Sequence, residues 1–201
     1  MKDSAVFKVI KPGLLTTVQD LGRRGYERFG IGAAGAMDPY ALRMANLLAG
    51  NEENLAGLEI TLQGPVLEVL SDCVIAVTGA NLQPRVNGKD IPMWASVPVK
   101  KGEIIEFGPL KSGCRTYLAV NGGIDVLLVM GSRSTYLRGN IGGYNGRALK
   151  KGDVLEKGEE FLSLKRKRRL APELIPTYSG QISVRVIEGP QANMFPEKSR
   201  E

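Results

Sequence analysis

The chain has 201 residues, of which 43% are apolar and 24% are charged, the balance of a soluble globular protein. No apolar run approaches the roughly 18 residues of a membrane helix, and the N-terminus has no apolar signal-peptide core, so we predict a cytoplasmic protein that does not enter a membrane. The sequence contains no histidine, which excludes Ser-His-Asp catalysis, Cys-His catalysis and His-ligated zinc within the chain.

Short β-rich runs between turn residues recur along the chain and favour a mainly β, antiparallel fold. Asn87-Gly88 is a strong hairpin signal, because a type I′ turn needs positive φ at both central residues. Strands are predicted at residues 6–10, 57–61, 66–70, 73–77, 104–107, 115–120 and 181–187.

One helix is predicted between Pro39 and Gly50. Asp38 can cap its start, Pro39 suits its first turn, and Gly50 can end it in the left-handed conformation. Its apolar positions share one face and predict core contact; they are Met37, Ala41, Met44, Ala45 and Leu48.

The net charge of +6 owes much to the basic run at residues 165–169. This run has no interleaved aromatic residues, which favours a solvated linker over a nucleic-acid site. We therefore predict one domain at residues 1–164, a basic linker at 165–180, and the first strand of a second, truncated domain at 181–201. Cys73 and Cys114 fall within or beside predicted strands, and both are expected to be reduced and buried.

Three polar, glycine-rich segments could carry chemistry. In residues 16–26, arginine beside glycine, as at Arg23, could bind an anion with its guanidinium and exposed backbone N–H groups; alternatively, this is a turn in which Asp20 accepts backbone amides and pairs with Arg23. Residues 30–39 run into the predicted helix and could bind an anion there, although Asp38 as a plain helix cap is at least as good an interpretation.

The third segment combines residues 131–136 with residues 142–147. Its hydroxyl, amide and guanidinium groups suit a carboxylate, phosphate or carbonyl oxygen, although hydroxyl-rich strands also occur in folds that bind nothing. The candidate residues are Ser132, Arg133, Ser134, Thr135, Asn145 and Arg147.

In order and across nearly the whole chain, these segments resemble the family of 5-oxoprolinase C-type subunits, also called allophanate hydrolase subunit 2 or biotin-dependent carboxyltransferase domain. The matching stretches are residues 12–26, 35–38, 45–51, 58–61, 64–65, 78–80, 117–123, 131–135, 142–143 and 146–147. The resemblance implies a cyclophilin-like antiparallel β-barrel with one or two short helices.

The resemblance also implies a subunit of an ATP-dependent complex that opens 5-oxoproline to L-glutamate. ATP would be bound in the complex, and the partners would be a homologue of the B-type subunit and a lactam-binding A-type subunit. On this basis we predict catalytic roles for Gln19, Asp20 and Arg133. Anion-binding roles are predicted for Arg23, Ser132, Ser134, Thr135, Asn145 and Arg147, and no metal site is expected.

Two further functions remain open within the same resemblance. One is the carboxyltransferase component of a urea carboxylase or allophanate hydrolase-like system, in which biotin would be carried by a separate domain. The other is a non-catalytic regulatory subunit that antagonises a kinase inhibitor.

Overall fold

The computed structural model describes residues 4–159 and 167–199, which form two antiparallel sheets and one α-helix. The strands are β1 (Ala5–Lys11), β2 (Leu15–Gln19), β3 (Gly57–Thr61), β4 (Val66–Val69), β5 (Cys73–Asn81), β6 (Pro84–Val86), β7 (Lys89–Asp90), β8 (Ser96–Val99), β9 (Ile104–Phe107), β10 (Ser112–Val120), β11 (Ile124–Asp125) and β12 (Val154–Lys157). The helix α1 spans Pro39–Ala49, and single 3-10 turns lie at Glu27–Phe29, Leu137–Gly139, Pro172–Leu174, Ala192–Met194 and Glu197–Ser199.

The two sheets enclose the main hydrophobic core. One sheet has the strand order β11-β12-β1-β4-β9-β6-β7, and the other has the order β2-β3-β10-β5-β8. Side chains such as Phe7, Leu58 and Ile105 are fully buried between them. Burial of each such side chain is worth roughly 1.5–3 kcal/mol, which makes this core the main source of stability.

Helix α1 packs on β5 and β10 and forms a second, smaller core with Trp94 and Tyr117. Its start is fixed by the Asp38 carboxylate, which accepts the Ala41 N–H at 3.0 Å. Its end is fixed by Gly50, whose positive φ of 87° suits a residue without a Cβ.

The mainly β, antiparallel fold that the sequence predicts is confirmed, as are the helix and its two caps. The Asn87-Gly88 hairpin is also present, with positive φ at both residues. Two details are wrong: Met37 lies outside the helix and is 71% exposed, and Cys114 is exposed because it lies in the irregular first part of β10.

The described part of the predicted linker is attached to the domain. Residues 168–178, here called the strap, cross the α1 side of the molecule. The Ser96 and Leu170 amides bond to the Arg168 and Trp94 carbonyls, and the hydroxyls of Tyr40 and Tyr178 anchor the strap to α1. Residues 165 and 166 lie outside the described residues.

The strand predicted at residues 181–187 does not form. These residues have no regular secondary structure, and Ile182, Val184 and Val186 are all more than 70% exposed. Alternating apolar residues give strand propensity, but a strand also needs a neighbour for its backbone groups, and no described strand pairs with this segment.

The helix cap yields a stability prediction. Asp38→Ala removes the acceptor for the Ala41 N–H and also the acceptor for the Tyr178 hydroxyl at 2.8 Å. We expect a loss of about 1–2 kcal/mol in the free energy of unfolding, measured by urea denaturation. Asp90→Ala, which removes only an exposed ion pair with Arg85, should change it by less than about 0.5 kcal/mol. Equal effects would contradict the capping role.

Candidate functional site

The Asp20 carboxylate is the centre of a buried polar cluster. Its Oδ1 accepts the Gly22 N–H at 2.8 Å, the Ser132 hydroxyl at 2.7 Å and the Ser134 hydroxyl at 2.5 Å. Its Oδ2 accepts the Arg133 N–H at 2.5 Å. The carboxylate therefore ties the loop after β2 to a loop more than a hundred residues later in the chain.

Gln19 and Thr135 extend this connection. The Gln19 amide donates to the Thr17 hydroxyl and the Thr135 carbonyl, and accepts the Gly35 N–H at 3.2 Å. Thr135 donates both its N–H and its hydroxyl to the Val18 carbonyl. Both side chains are buried, so their hydrogen bonds hold two loops together and leave no group facing solvent.

Arg23 is the exception within this cluster, because most of its hydrogen-bonding capacity is unused. Its side chain is 1% exposed, and only Nη2 has an acceptor, the Ser134 carbonyl at 2.5 Å. Nε and Nη1 have no acceptor among residues 4–159 and 167–199. The alternative interpretation of residues 16–26 is correct in one part, since Asp20 accepts the backbone N–H of Gly22. Its other part is wrong, because among the described residues no ion pair joins Asp20 and Arg23.

The guanidinium of Arg23 lies directly behind a glycine loop. A Cβ on Gly142 would come within 2.6 Å of Arg23 Nη2, and one on Gly143 would overlap the Thr135 side chain. Both residues have positive φ, so glycine is required for close approach and for backbone conformation alike.

That loop forms one wall of a surface cleft of about 660 Å³. The cleft is lined by Asp125, Val126, Leu127, Val129, residues 140–146, Val154 and Glu156. Asp125 and Glu156 lie opposite each other in the β11–β12 pair, so two carboxylates share one end of the cleft. Sequence reasoning missed both, because neither belongs to a recognisable motif.

The other three predicted residues of the third segment lie in three different environments. Asn145 is exposed and lines the cleft. The Arg133 side chain turns away from Asp20, donates to the Val126 carbonyl at 3.1 Å and pairs with Asp125 at 3.4 Å. Arg147 makes a bidentate pair with Asp153, so its donors are already occupied.

A second polar cluster, which sequence reasoning did not assign, lies between α1 and β10. The Tyr117 hydroxyl donates to Glu59 at 2.7 Å and accepts the Asp38 N–H at 2.7 Å. Burial, reinforced by the Glu59 charge, raises the pKa of Tyr117 above its usual value, so the phenol remains a donor. Arg115 lies 3.7 Å from Glu59, at the opening of this cluster to solvent.

The described ranges contain no group of three or more carboxylate or cysteine side chains arranged to hold a metal ion. No helix in these ranges has the length and apolar character needed to cross a membrane.

Comparison with known families assigns the chain. The family described as "Carboxyltransferase domain, subdomain A and B" matches residues 29–201. The chain belongs to this family.

Named relatives fall into two functional groups. Urea amidolyase of Saccharomyces cerevisiae is 40% identical over 190 residues, covering 90% of this chain and 10% of the relative. The C-type subunit of 5-oxoprolinase from Escherichia coli is 40% identical over 196 residues, covering 98% of this chain and 62% of the relative. The chain thus spans a tenth of one relative and under two thirds of the other.

Two solved structures resemble the chain in fold. The Kluyveromyces lactis urea amidolyase is 43% identical with a TM-score of 0.81, and the match covers 89% of this chain and 11% of that one. The protein TTHA0988 is 33% identical with a TM-score of 0.82, and the match covers 95% of this chain and 38% of that one. The carboxyltransferase-domain fold is therefore shared with both.

The bidentate pair predicts a pH-dependent stability. The hydrogen bond from Arg147 holds the pKa of Asp153 below its ordinary value. Such a carboxylate stabilises the fold above its unfolded pKa of about 3.9 and loses this effect as pH falls through the lower, folded pKa. Arg147→Gln should therefore cost about 1–2 kcal/mol of unfolding free energy at neutral pH and progressively less below about pH 4.

Urea denaturation across this pH range measures the effect. Arg85→Gln, which removes the exposed pair with Asp90, is the control and should cost less than about 0.5 kcal/mol at every pH. A loss for Arg147→Gln that stays constant down to about pH 2 would contradict the role of the pair.

Proposed function

We propose that this domain is part of a C-type subunit of an ATP-dependent 5-oxoprolinase, which opens 5-oxoproline to L-glutamate together with other subunits. The proposal is supported by the E. coli relative, named as the C-type subunit of 5-oxoprolinase, whose alignment extends over 98% of the chain. Within the structure, one observation carries it: the buried, incompletely bonded guanidinium of Arg23 behind the cleft wall.

A buried cation with two unbonded nitrogens costs free energy, so its presence in the fold indicates a function. Because Gly142 and Gly143 have no side chains, only backbone separates this charge from the cleft. In the low dielectric of the interior the charge acts over a longer range than it would in water. Arg23 therefore favours an anionic group in the cleft, such as the carboxylate of 5-oxoproline or an oxyanion formed on the lactam carbonyl.

The other cleft residues supply the remaining requirements of amide hydrolysis. The exposed amide of Asn145 can bond a lactam N–H or C=O. Asp125 is partly neutralised by Arg133, whereas Glu156, among the described residues, accepts a hydrogen bond from the Ser4 hydroxyl alone, at 2.9 Å. In this proposal Glu156 positions the attacking water, and Asp20, Gln19, Ser132, Ser134 and Thr135 fix the loops that form the wall.

ATP does not fit this cleft. Among the described residues that line it there is no lysine or arginine, and the single Arg23 charge behind its wall suits one negative charge rather than the several charges of a triphosphate. The proposal therefore assigns ATP binding to the other subunits, with this domain contributing to the ring-opening half of the site.

The rim of the cleft supports work in a complex. Leu127 and Leu128 are 77% and 55% exposed on the loop that borders it, and Met130 is 37% exposed. Clustered apolar side chains at a cleft rim are typical of a surface that another protein covers. We assign a homologue of the B-type subunit and the lactam-binding A-type subunit as the partners.

A second candidate function is the carboxyltransferase half of a urea carboxylase, with biotin carried by a separate domain. The urea amidolyase relatives and the K. lactis structure favour it. The same Arg23 charge would then act on the carboxyl group transferred from biotin to urea.

The test is 5-oxoproline-dependent ATP hydrolysis by the chain combined with the other subunits. Arg23→Gln should lower kcat/KM about 10- to 100-fold, because about 1.4–2.7 kcal/mol of electrostatic stabilisation is lost. Asn145→Ala should lower it about tenfold. Asn87→Ala is the control for Asn145→Ala, because both asparagines have positive φ, and it should leave kcat/KM unchanged since Asn87 lies in the remote hairpin.

Full activity in a folded Arg23→Gln protein would contradict the proposed role of the cleft. If the chain gives no 5-oxoproline-dependent turnover but supports urea-dependent consumption of carboxybiotin, the second candidate replaces the first.

A further inference from the structure

A second groove, of about 770 Å³, lies between the start of β10 and the end of the strap. It shares no lining residue with the cleft. One side consists of residues 111–115, the other of residues 177–183, and Asp38 also contributes to its lining. We call it the strap groove.

The two carboxylates near this groove already accept hydrogen bonds from groups of the fold. Asp38 Oδ1 accepts the Ala41 N–H, and its Oδ2 accepts the Tyr178 hydroxyl. Glu59, deeper in the fold, accepts both the Tyr117 hydroxyl and the Met37 N–H at one oxygen. Both carboxylates are therefore engaged within the fold, Asp38 through both oxygens and Glu59 through Oε2, while Glu59 Oε1 forms an ion pair with Arg115 at 3.7 Å.

The donors of the groove are bonded less completely. Arg115 Nε forms an ion pair with Glu59 at 3.7 Å, but this is beyond hydrogen-bond distance, and Nε has no hydrogen-bond acceptor among the described residues. Its Nη1 contacts the sulfur of Cys114, which is a weak acceptor. The Lys111 side chain is exposed and makes no hydrogen bond or ion pair within residues 4–159 and 167–199.

Other arginines of the domain show what a satisfied guanidinium looks like here. Arg147 binds both oxygens of Asp153, and Arg85 donates to Asp90 at 2.8 Å. Among the described residues, the Arg115 side chain has only the longer ion pair with Glu59 and the contact with Cys114; its Nε is buried, but the side chain is 24% exposed and lines the groove. That arrangement suits a planar carboxylate or a phosphate.

The wall opposite Arg115 is less polar. Tyr178 lies against Gly113, where a Cβ would come within 3.2 Å of the ring, and Ile182 adds an exposed apolar side chain. We propose that the strap groove binds a small organic anion, with its carboxylate or phosphate group held by Arg115 and Lys111 and its carbon skeleton against Tyr178 and Ile182. The strap groove is separate from the cleft, and this proposal does not depend on the reaction assigned to the cleft.

The test is an NMR titration of the full chain with three probes: propionate, inorganic phosphate and propionamide. Propionate or phosphate should produce saturable changes in the chemical shifts of the Gly113 and Ser179 amides. The anion that binds more tightly identifies the preferred anionic group. Propionamide, which has nearly the same shape but no charge, should produce none. Absence of saturation with both anions, or equal binding of propionamide, would overturn the proposal.

Variants locate the site. Arg115→Gln should weaken anion binding at least about tenfold, and Lys111→Gln, at an exposed position that the fold does not depend on, at least about threefold. Arg85→Gln is the matched control and should bind like the unaltered chain. Unchanged affinity in Lys111→Gln, or in a folded Arg115→Gln, would also overturn the assignment. Because binding is measured on this chain alone, the result is independent of whether the assembled enzyme opens 5-oxoproline.

Discussion

The site depends on one buried carboxylate. Asp20 gathers four donors, two hydroxyls and two backbone N–H groups, and so joins the loop after β2 to residues 132–134. Bonds to charged acceptors are roughly twice as strong as neutral ones, and an unsatisfied carboxylate at this depth would be strongly destabilising. The two loops are therefore held in one arrangement, and the cleft wall is built on them.

This arrangement engages several side chains that the sequence predicts to be catalytic or anion-binding. Gln19, Asp20, Ser132 and Ser134 use their polar atoms on one another and on the backbone, and these hydrogen bonds hold the loops in place. What they position is the Arg23 guanidinium behind the glycine loop. In our proposal, a site without histidine favours negative charge because it fixes this cation close to the cleft wall.

Local signals made part of the fold predictable. Helix α1 was predictable because Asp38, Pro39 and Gly50 act on their own neighbours, and β3 and β9 because their apolar runs are short and bounded by turns. Strand β2 escaped prediction because Thr-Thr-Val-Gln looks polar, and only contacts with distant residues bury it.

The site was predictable as a set of residues but not as a geometry, since side-chain direction depends on pairings between residues far apart in the chain. Asp125 and Glu156 gave no signal, because their shared position at one end of the cleft comes only from the register of β11 and β12. Arg115 gave none either, because the groove it borders exists only where the strap returns to β10.

The central role of Asp20 is tested most directly by amide hydrogen exchange combined with urea denaturation of Asp20→Asn. The substitution keeps size and one acceptor but removes the charge that four donors share. We expect a loss of about 2–4 kcal/mol in unfolding free energy relative to the unaltered chain. The exchange rates of the Gly22 and Arg133 amides should also rise by more than those of amides in β5. Unchanged stability with unchanged protection at Gly22 and Arg133 would contradict the claim that Asp20 holds the site together.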